Sequence, residues 1–420
     1  MPMSLPTPEP MPGDPTPPGA PAGTPPADAQ GTDPDLEMAR RQEALRERLG
    51  RLFSRWGYRR LRTPLWEEAG PGAVSPLPEA SLCRFVDPAG RVLALRPDHT
   101  LAVARWAAAR YRGDRPWRLY YVDPVYRRDP RDGRFVAITQ AGVELIGLPA
   151  PWGDVEAVGL VLDALDELGL AGARVVAGHT GLLRQLLDTA GLTGPAAREV
   201  AAALASRDRV ALRRLLAGAL PPAEAAQWFD LLTRSYGPAE AARQLARWPG
   251  EAAAQLAGVL DALDRFVRDE RLRVEFGLAR DLEYYTGLVF EVYAGSGRVA
   301  AGGRYDTLLE RLGGRGPAVG FAFDLEGLAA AVPAAPEAPG IGYLVAGPGG
   351  AALWEEARRL RRRGESVIVA PGLAGEAEAL AEARRQGCRR LLWLDGARRV
   401  LRMVAPVAVA GSPGEAAAPA

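Results

Sequence analysis

The chain has 420 residues, of which 48% are hydrophobic and 25% are charged, and its formal net charge at pH 7 is +1. This length exceeds what one compact core usually serves, so two or three domains are expected. The near-neutral charge argues against a general nucleic-acid-binding protein, and no apolar run approaches the roughly 18 residues that a membrane-spanning helix needs.

The first 34 residues are dominated by Pro, Gly, Ala and Thr. Such a composition cannot bury enough apolar surface to offset the entropy of ordering, so residues 1–34 are expected to be disordered. The segment also lacks the basic start and the apolar middle of a secretory signal. A cytoplasmic location is the resulting expectation. Cys83 and Cys388, far apart in the sequence, agree with a reducing compartment.

Residues 35–331 are predicted to form one domain of strands and helices. A helix with apolar residues at helical spacing begins this domain and ends at Gly57. Short strands follow up to about Gly147, with one helical stretch among them. The block at about 180–271 predicts several helices, because Gly and Pro interrupt it at intervals. Strands then return, and a last helix is expected from about Val319 to Ala330.

The rest of the chain predicts a linker and a smaller domain. Residues 332–340, "VPAAPEAPG", have the composition of a linker. Residues 341–403 alternate between strand and helix patterns, which indicates a small α/β domain. Residues 404–420 are of low complexity and are expected to be disordered.

A polar face follows the second strand of the predicted hairpin "VYRRDPRDGRFVAITQAGVELIG". Gln140, Gly142 and Glu144 alternate with apolar neighbours, so Gln140 and Glu144 share one face of that strand. A buried charge without a partner is costly. This face is therefore either solvated, which is the commoner case for an arbitrary hairpin, or in contact with a polar ligand.

Asp98 and Thr100 lie where a predicted strand passes into a helix. A carboxylate and a hydroxyl at this junction either cap the helix or hold an ammonium group. The neighbouring His99 and the more distant His179 have no partner at metal-ligand spacing, so no metal site is expected. Gly302 begins a glycine pair, but the lysine of a phosphate-binding loop is missing, and no cofactor is expected.

Six segments, taken in chain order, resemble the catalytic core of a class II aminoacyl-tRNA synthetase, and specifically of the histidyl enzyme. They are "RLFSRWGYRRLRTPLWEE", "LRPDHT", "VYRRDPRDGRFVAITQAGVELIG", "LARDLEYYTGLVFE", "GGRYDTLLERLGG" and "AVGFAFDLEGL". The resemblance covers roughly residues 35–330. It implies an α+β fold with an antiparallel sheet flanked by helices, a helical insertion at about 180–271, and a small C-terminal α/β domain that resembles a degenerate anticodon-binding domain.

The resemblance also implies a pocket for histidine. Asp98 and Thr100 would take the α-amino end of the ligand, and Gln140 would position its main-chain end. Glu144 and the two tyrosines of "EYYTG" would recognise the imidazole ring. The neutral ring needs one hydrogen-bond acceptor and one donor, and the protonated ring needs two acceptors. The full set of implied contacts is Asp98, Thr100, Arg127, Gln140, Glu144, Arg280, Tyr284 and Tyr285.

The arginines distinguish a catalytically active synthetase from a relative that has lost this activity. Arg127 matches an arginine that binds an α-phosphate or a carboxylate, and Arg280 matches the one that acts on the histidine carboxylate in adenylation. In contrast, Gly327 stands where the third motif of a synthetase carries an arginine, and Val136 where the second motif carries another. Adenylation requires fixed positive charge around the α-phosphate. These departures predict that the chain does not activate ATP efficiently.

A histidine pocket without ATP chemistry resembles the regulatory subunit of ATP phosphoribosyltransferase, a family of synthetase paralogues. The resemblance implies a chain without catalytic residues of its own, required for the activity of the short catalytic subunit and for feedback inhibition by histidine in the first step of L-histidine biosynthesis. The implied partners are that catalytic subunit, in a hetero-octamer of four plus four, and a second copy of this chain. L-histidine is the implied effector, and contact with a membrane is not expected.

Two alternatives stay open. One is a histidine–tRNA ligase, and the other is a tRNA-binding or kinase-regulatory scaffold derived from the same fold. The C-terminal domain contains "RRLRRRGE" and "RRQGCRR", which a tRNA-binding protein would use. Solvated helix faces account for these arginines more simply, so tRNA is the less favoured partner.

Overall fold

The computed structural model describes residues 34–69, 81–129, 133–248, 250–278, 285–295, 297–333, 341–396 and 398–404. The segments expected to be disordered, 1–34 and 404–420, lie outside these ranges except for Pro34 and Val404, and so does most of the expected linker, 332–340. Residues 38–333 form one compact unit, and residues 341–404 belong to a second.

The larger unit contains an eight-stranded sheet and a separate three-stranded sheet. Its strands are β1 (Arg59–Arg60), β2 (Trp66–Glu68), β3 (Arg84–Val86), β4 (Val92–Leu95), β5 (Trp117–Arg128), β6 (Phe135–Ile146), β7 (Arg174–His179), β8 (Leu272–Val274), β9 (Leu288–Ala294), β10 (Gly297–Arg304) and β11 (Ala318–Asp324). The large sheet has the order β1-β5-β6-β11-β10-β9-β7-β8, and the small one β2-β4-β3. All pairs from β5 to β7 are antiparallel, whereas β1 and β8 add parallel edges.

Helices cover the large sheet and fill the long connection between β7 and β8. They are α1 (Pro34–Arg55), α2 (His99–Ala108), α3 (Trp152–Glu167), α4 (Thr180–Thr189), α5 (Gly194–Ala205), α6 (Arg209–Ala219), α7 (Pro222–Thr233), α8 (Pro238–Leu245), α9 (Glu251–Phe266), α10 (Asp306–Arg311) and α11 (Leu325–Ala331). Pro222 and Pro238 begin α7 and α8. Proline is well tolerated there because the first turn of a helix does not use its backbone N–H groups.

The helix expected at 319–330 is wrong in its first half, which forms β11 instead. Val319, Phe321 and Phe323 alternate with small residues, and all three are buried. This period of two fits a strand, whose successive side chains point to opposite faces. The helical pattern holds only for the residues of α11.

One face of the large sheet packs against α1, α3 and the insertion helices to form the main core. Val143 and Leu145 of β6 and Phe290 of β9 are completely buried in this cluster, as is Phe53 of α1. At one end of the opposite face, α2 and α10 pack through a smaller cluster that contains Leu101. The rest of that opposite face carries the candidate site.

The second unit has four strands and two helices: β12 (Tyr343–Gly347), α12 (Ala351–Arg361), β13 (Val367–Pro371), α13 (Glu376–Arg385), β14 (Arg390–Asp395) and β15 (Arg398–Met403). The strand order is β13-β12-β14-β15, with parallel pairs except for the antiparallel edge strand β15. The sequence pattern did not predict β15. Across all described residues of both units, no helix combines the length and apolar character that crossing a bilayer requires.

Candidate functional site

The polar face of the large sheet borders a cavity of about 570 Å³. The pairing of β6, β11 and β10 aligns Gly142, Ala322 and Ala301 side by side in the middle of this face. The Tyr121 ring occupies the space over Gly142, and the short side chains of Ala322 and Ala301 line the cavity beside it. Residues of the α5–α6 connection and of α7 also line the cavity.

Two glycines make room for the polar groups at one end of the cavity. A Cβ atom on Gly320, which pairs with Glu144, would overlap the Glu144 carboxylate. A Cβ atom on Gly303 would lie 2.8 Å from Cε1 of Tyr285. The carboxylate and the tyrosine ring therefore occupy space that a side chain at either position would take.

Glu144 is fully buried and accepts hydrogen bonds from three hydroxyl groups. Thr100 Oγ1 donates to Oε1 at 2.7 Å, Tyr121 donates to the same oxygen at 3.3 Å, and Tyr305 donates to Oε2. Burial raises the pKa of Glu144 to about 8, although these hydrogen bonds oppose the shift. The group is thus a carboxyl that changes its protonation state near neutral pH.

Asp98 both caps a helix and borders the cavity. Its Oδ1 accepts a hydrogen bond from the Leu101 backbone N–H at 3.0 Å, at the start of α2. Its Oδ2 lies 3.8 Å from Nη2 of Arg127, whose Nε donates to the Pro97 carbonyl at 2.8 Å. The capping function and the ligand-binding function considered for Asp98 are therefore compatible, because they use different oxygens.

The neutral side chain of His99 packs against Tyr121, which lines the Glu144 end of the cavity. The His99 ring stacks on Tyr121 with 4.1 Å between ring centroids. Its Nε2 lies 3.0 Å from the Asp123 carbonyl, which can only accept, so Nε2 carries the proton and Nδ1 accepts from Thr63 Oγ1 at 3.1 Å. Burial, together with Arg96, lowers the pKa of His99 to about 3. His99 therefore holds Tyr121 in place without adding charge.

The structure brings most of the predicted site residues together. Asp98, Thr100, Arg127, Gln140 and Tyr285 line the cavity, and Glu144 joins them through Thr100. The other two predicted contacts, Arg280 and Tyr284, lie outside the described residues.

Tyr121 and Tyr305 were missed in the sequence, although both line the cavity and donate to Glu144. Tyr305 follows the glycine pair in "GGRYD", so its place at a strand end was a usable signal. Tyr121 pairs with Gly142 in the β5–β6 register. That register is not readable from the residues alone.

The far end of the cavity has a second polar network, which joins the insertion to the sheet. Arg207, in the connection from α5 to α6, donates to the Tyr293 hydroxyl at 2.8 Å and lies 3.9 Å from Glu275. The Tyr293 hydroxyl donates to Glu291, and Glu291 pairs with Arg298 at 2.6 Å. This network links the α5–α6 connection to β9 and β10.

At the start of α11, two carboxylates bind backbone N–H groups. Asp324 caps the helix by accepting from Glu326 and Gly327, and Glu326 accepts from the Thr139 N–H at 3.1 Å. A Cβ atom on Gly327 would meet no atom closer than 3.8 Å. Packing therefore does not require glycine at this position, because a β-carbon would fit.

Three comparisons relate this fold and site to known proteins. A family model described as histidyl-tRNA synthetase matches residues 32–328. A protein of Moorella thermoacetica named ATP phosphoribosyltransferase regulatory subunit is 38% identical over 362 residues, which are 83% of this chain and 93% of that protein. A protein of the same name from Anaeromyxobacter dehalogenans is 41% identical over 294 residues, which are 67% of this chain and 84% of that protein.

Two solved structures are also similar. One, from Bacillus halodurans, is titled as an ATP phosphoribosyltransferase regulatory subunit/histidyl-tRNA synthetase; it is 25% identical, with a TM-score of 0.74, and the match covers 89% of this chain and 99% of that one. The other, a histidine–tRNA ligase subunit from Alicyclobacillus acidocaldarius, is 31% identical, with a TM-score of 0.59, covering 74% and 97%. The chain belongs to the family of ATP phosphoribosyltransferase regulatory subunits, which share the class II fold of the histidyl-tRNA synthetases.

Proposed function

We propose that this chain is a regulatory subunit of ATP phosphoribosyltransferase, without catalytic residues of its own. In this function it is required for the activity of the short catalytic subunit in the first step of L-histidine biosynthesis, and it mediates feedback inhibition by bound histidine. Relatives that match most of the chain carry the name of this subunit. The observation that carries the proposal is that the cavity has groups suited to histidine, whereas Gly327 and Val136 occupy the positions where a synthetase carries ATP-binding arginines.

The histidine end of the cavity supplies complementary groups at three points. Glu144, with Tyr285 and Tyr284, reads the imidazole, and the buried hydroxyls of Tyr121 and Tyr305 fix the Glu144 carboxyl. A carboxyl held in this way can accept from, or donate to, a ring nitrogen.

The backbone of the ligand binds at the neighbouring groups. Asp98 and Thr100 take the α-amino end, and the Gln140 amide, whose side chain makes no hydrogen bond to a described residue, contacts the main-chain end. Arg127 and Arg280 attract the ligand carboxylate, since a guanidinium binds a carboxylate in a bidentate geometry.

The residues at the two predicted ATP-binding positions argue against adenylation. Gly327 has space for a side chain and carries none. Val136, at the other predicted arginine position, pairs with Arg127 in the β5–β6 hairpin. The Asp324 carboxylate accepts from the Gly327 N–H, and a negative charge at this position repels a triphosphate. The fixed positive charge that stabilises an α-phosphate during attack is therefore reduced.

Exposed apolar side chains support self-association through the small sheet. Trp66 of β2 and Phe85 of β3, which the strand register places on the same face of the small sheet, are 54% and 39% exposed. Apolar groups of this size on one surface commonly mark an interface. We propose that this first-motif region forms a dimer, and that dimers combine with catalytic subunits into a cytoplasmic hetero-octamer of four plus four.

A histidine–tRNA ligase is the second candidate, because the family model and the Alicyclobacillus acidocaldarius structure carry that name. One experiment separates the two functions. Histidine binding is measured by calorimetry, and histidine-dependent exchange of pyrophosphate into ATP is measured on the same preparation. A regulatory subunit binds histidine and gives no exchange above a blank without enzyme. Robust exchange would establish the ligase and refute the proposed function.

A further inference from the structure

A groove on the outer side of the helical insertion lies between α6 and α7. It has a volume of about 500 Å³ and is lined by Arg209, Val210, Arg213, Arg214 and Ala217 of α6 and by Phe229 of α7. The residues Val210, Arg213, Arg214 and Ala217 follow the spacing i, i+3, i+4 and i+7, which aligns them along one side of the helix. The groove is therefore a continuous stripe of α6.

This stripe is not needed to hold the insertion together. The buried side of α6 carries Leu212 and Leu216, which are 1% and 0% exposed. Val210 on the stripe is 81% exposed, although burying a valine is favourable by about 1.5–3 kcal/mol. Val210 and Ala217, both exposed, thus form the apolar part of the groove between its charged groups.

Arg213 and Arg214 have no carboxylate partner among the described residues, whereas Arg209 interacts electrostatically with Glu275. Arg209 donates to the Thr233 carbonyl at 3.3 Å, and the Arg213 guanidinium lies 4.5 Å from the ring centroid of Phe229. The nearby carboxylate of Asp208 accepts from the Ala211 N–H as the cap of α6. In the same insertion, by contrast, Arg234 pairs with Glu240 at 2.9 Å. The groove thus combines uncompensated positive charge with an apolar floor.

We propose that the α6–α7 groove binds an acidic segment of the catalytic subunit, with an apolar side chain placed over Val210 and Ala217. This assignment rests on the proposed function, since it names the surface through which that function is exerted. Charge complementarity selects the occupant: carboxylates pair with the guanidinium groups of Arg213 and Arg214 in bidentate geometry, and an apolar anchor covers the floor.

RNA fits the same groove less well. Binding to a phosphate backbone draws on an extended positive field, and the chain has a net charge of only +1. The aromatic ring in the groove, Phe229, is covered by Arg213 and cannot stack on a base. A protein segment uses both the apolar floor and the charged sides.

The groove and the ligand cavity share a lining residue. Arg209 lines both the cavity and the groove. Two residues before it, Arg207 contacts the Tyr293–Glu291 network at the far end of the cavity. A ligand that moves this short segment changes the shape of the groove. By linkage, docking in the groove then changes the affinity of the ligand by the same factor.

The test measures the dissociation constant of the full chain for the short catalytic subunit by surface plasmon resonance. The double variant Arg213→Glu/Arg214→Glu is compared with a matched control, Arg243→Glu/Arg247→Glu, which reverses two exposed arginines of the same insertion outside the groove. We expect at least about a tenfold weaker affinity for the groove variant and less than about a threefold change for the control. The milder Arg214→Gln serves if thermal melting reveals that the double variant is unfolded, with at least about a threefold loss expected.

Three results would overturn the assignment. Equal affinities of the wild-type and groove variants would refute the groove while leaving the proposed function intact. Loss of binding to a short RNA hairpin, with unchanged binding to the catalytic subunit, would assign the groove to RNA. Absence of any binding between the wild-type chain and the catalytic subunit would refute the proposed function, and the groove assignment with it.

Discussion

Glu144 has no solvent exposure and accepts hydrogen bonds from three hydroxyl groups. In the proposed contact with histidine, its protonation state would decide whether it donates to or accepts from the imidazole ring. Burial raises its pKa to about 8. The imidazole of histidine has an ordinary pKa of about 6.5. Between these values, the carboxyl and the ring together hold one proton, which a single hydrogen bond between them can use.

The affinity for histidine is therefore expected to be highest between about pH 6.5 and pH 8. Below this window both groups are protonated, and above it neither is, so the affinity falls by up to about tenfold per pH unit on each side. Calorimetric titrations between pH 5.5 and 9 measure this profile. Glu144→Gln is expected to bind histidine more weakly. Its affinity should no longer fall at alkaline pH through loss of the Glu144 proton, whereas the titrations of all other groups should be unchanged. An identical alkaline decline in both proteins would contradict this assignment.

The same titration affects folding. The pKa of Glu144 is raised from 4.5 to about 8 in the folded chain, so the folded state holds the proton more tightly. Its contribution to stability is fully present below pH 4.5 and is lost as the pH rises to about 8. Relative to Glu144→Gln, the wild-type free energy of unfolding should decrease between pH 5 and pH 8 by an amount on the order of 4 kcal/mol. Denaturant unfolding at both pH values measures it; a difference that grows with pH would be the wrong sign.

The site residues could be predicted from the sequence only where they lie in a motif. Asp98, Thr100 and Glu144 lie in segments that resemble the synthetase motifs, and the structure brings them together. Tyr121 lies outside such a signal, because its contact with Glu144 depends on which residue of β6 it faces. Strand register is fixed by tertiary packing, which a single sequence does not display.

At the scale of elements, β6 and β11 form the site only because they approach closely. Gly320 faces Glu144 across this pair, and a methyl group there would overlap the carboxylate. Gly320→Ala is expected to lower the free energy of unfolding by about 1–3 kcal/mol, as overpacking does, and to abolish histidine binding.

Gly258→Ala is the matched control for that change. Gly258 lies in α9, and a Cβ atom there meets no atom within 4 Å. Alanine is expected to stabilise the helix by about 1 kcal/mol, because it has the higher helix propensity. Urea unfolding of both variants tests the pair. A stable Gly320→Ala variant that still binds histidine would mean that the β6–β11 contact is looser than described.

The errors at this scale have physical reasons. In "AVGFAFDLEGL" a strand passes directly into a helix, and the two patterns share apolar residues, so the predicted helix began too early. The edge strand β15 is missed because three of its six residues are arginines, and five of the six are exposed. This segment forms a strand because it pairs with β14 through backbone hydrogen bonds, which the side-chain pattern of β15 does not predict.

At the scale of the whole molecule, the two units have separate cores. The clusters around Leu145 and Leu101 contain no residue beyond Val332, and the clusters around Leu344 and Leu353 contain none before Ile341. The sequence indicated this division through the linker composition. It did not indicate that the α5–α6 connection lines the cavity, because that contact joins residues distant in sequence.

A chain limited to residues 34–333 is therefore expected to fold and to bind histidine with an affinity within about threefold of the full chain, since every described cavity residue lies inside it. Thermal unfolding and calorimetry on this fragment test the division. Non-cooperative unfolding, or a loss of histidine affinity greater than tenfold, would mean that residues beyond 333 contribute to the larger core or to the site.

The central claim is that this chain regulates a catalytic partner by sensing histidine. It is tested most directly by the rate of phosphoribosyl transfer to ATP by the short catalytic subunit, measured alone, with the wild-type chain and with Glu144→Gln, each with and without histidine. We predict that both chains activate the subunit and that inhibition of the complex with Glu144→Gln requires a higher histidine concentration than inhibition of the complex with the wild-type chain. A rate that neither chain raises, or inhibition by histidine that persists unchanged with Glu144→Gln, would contradict the account.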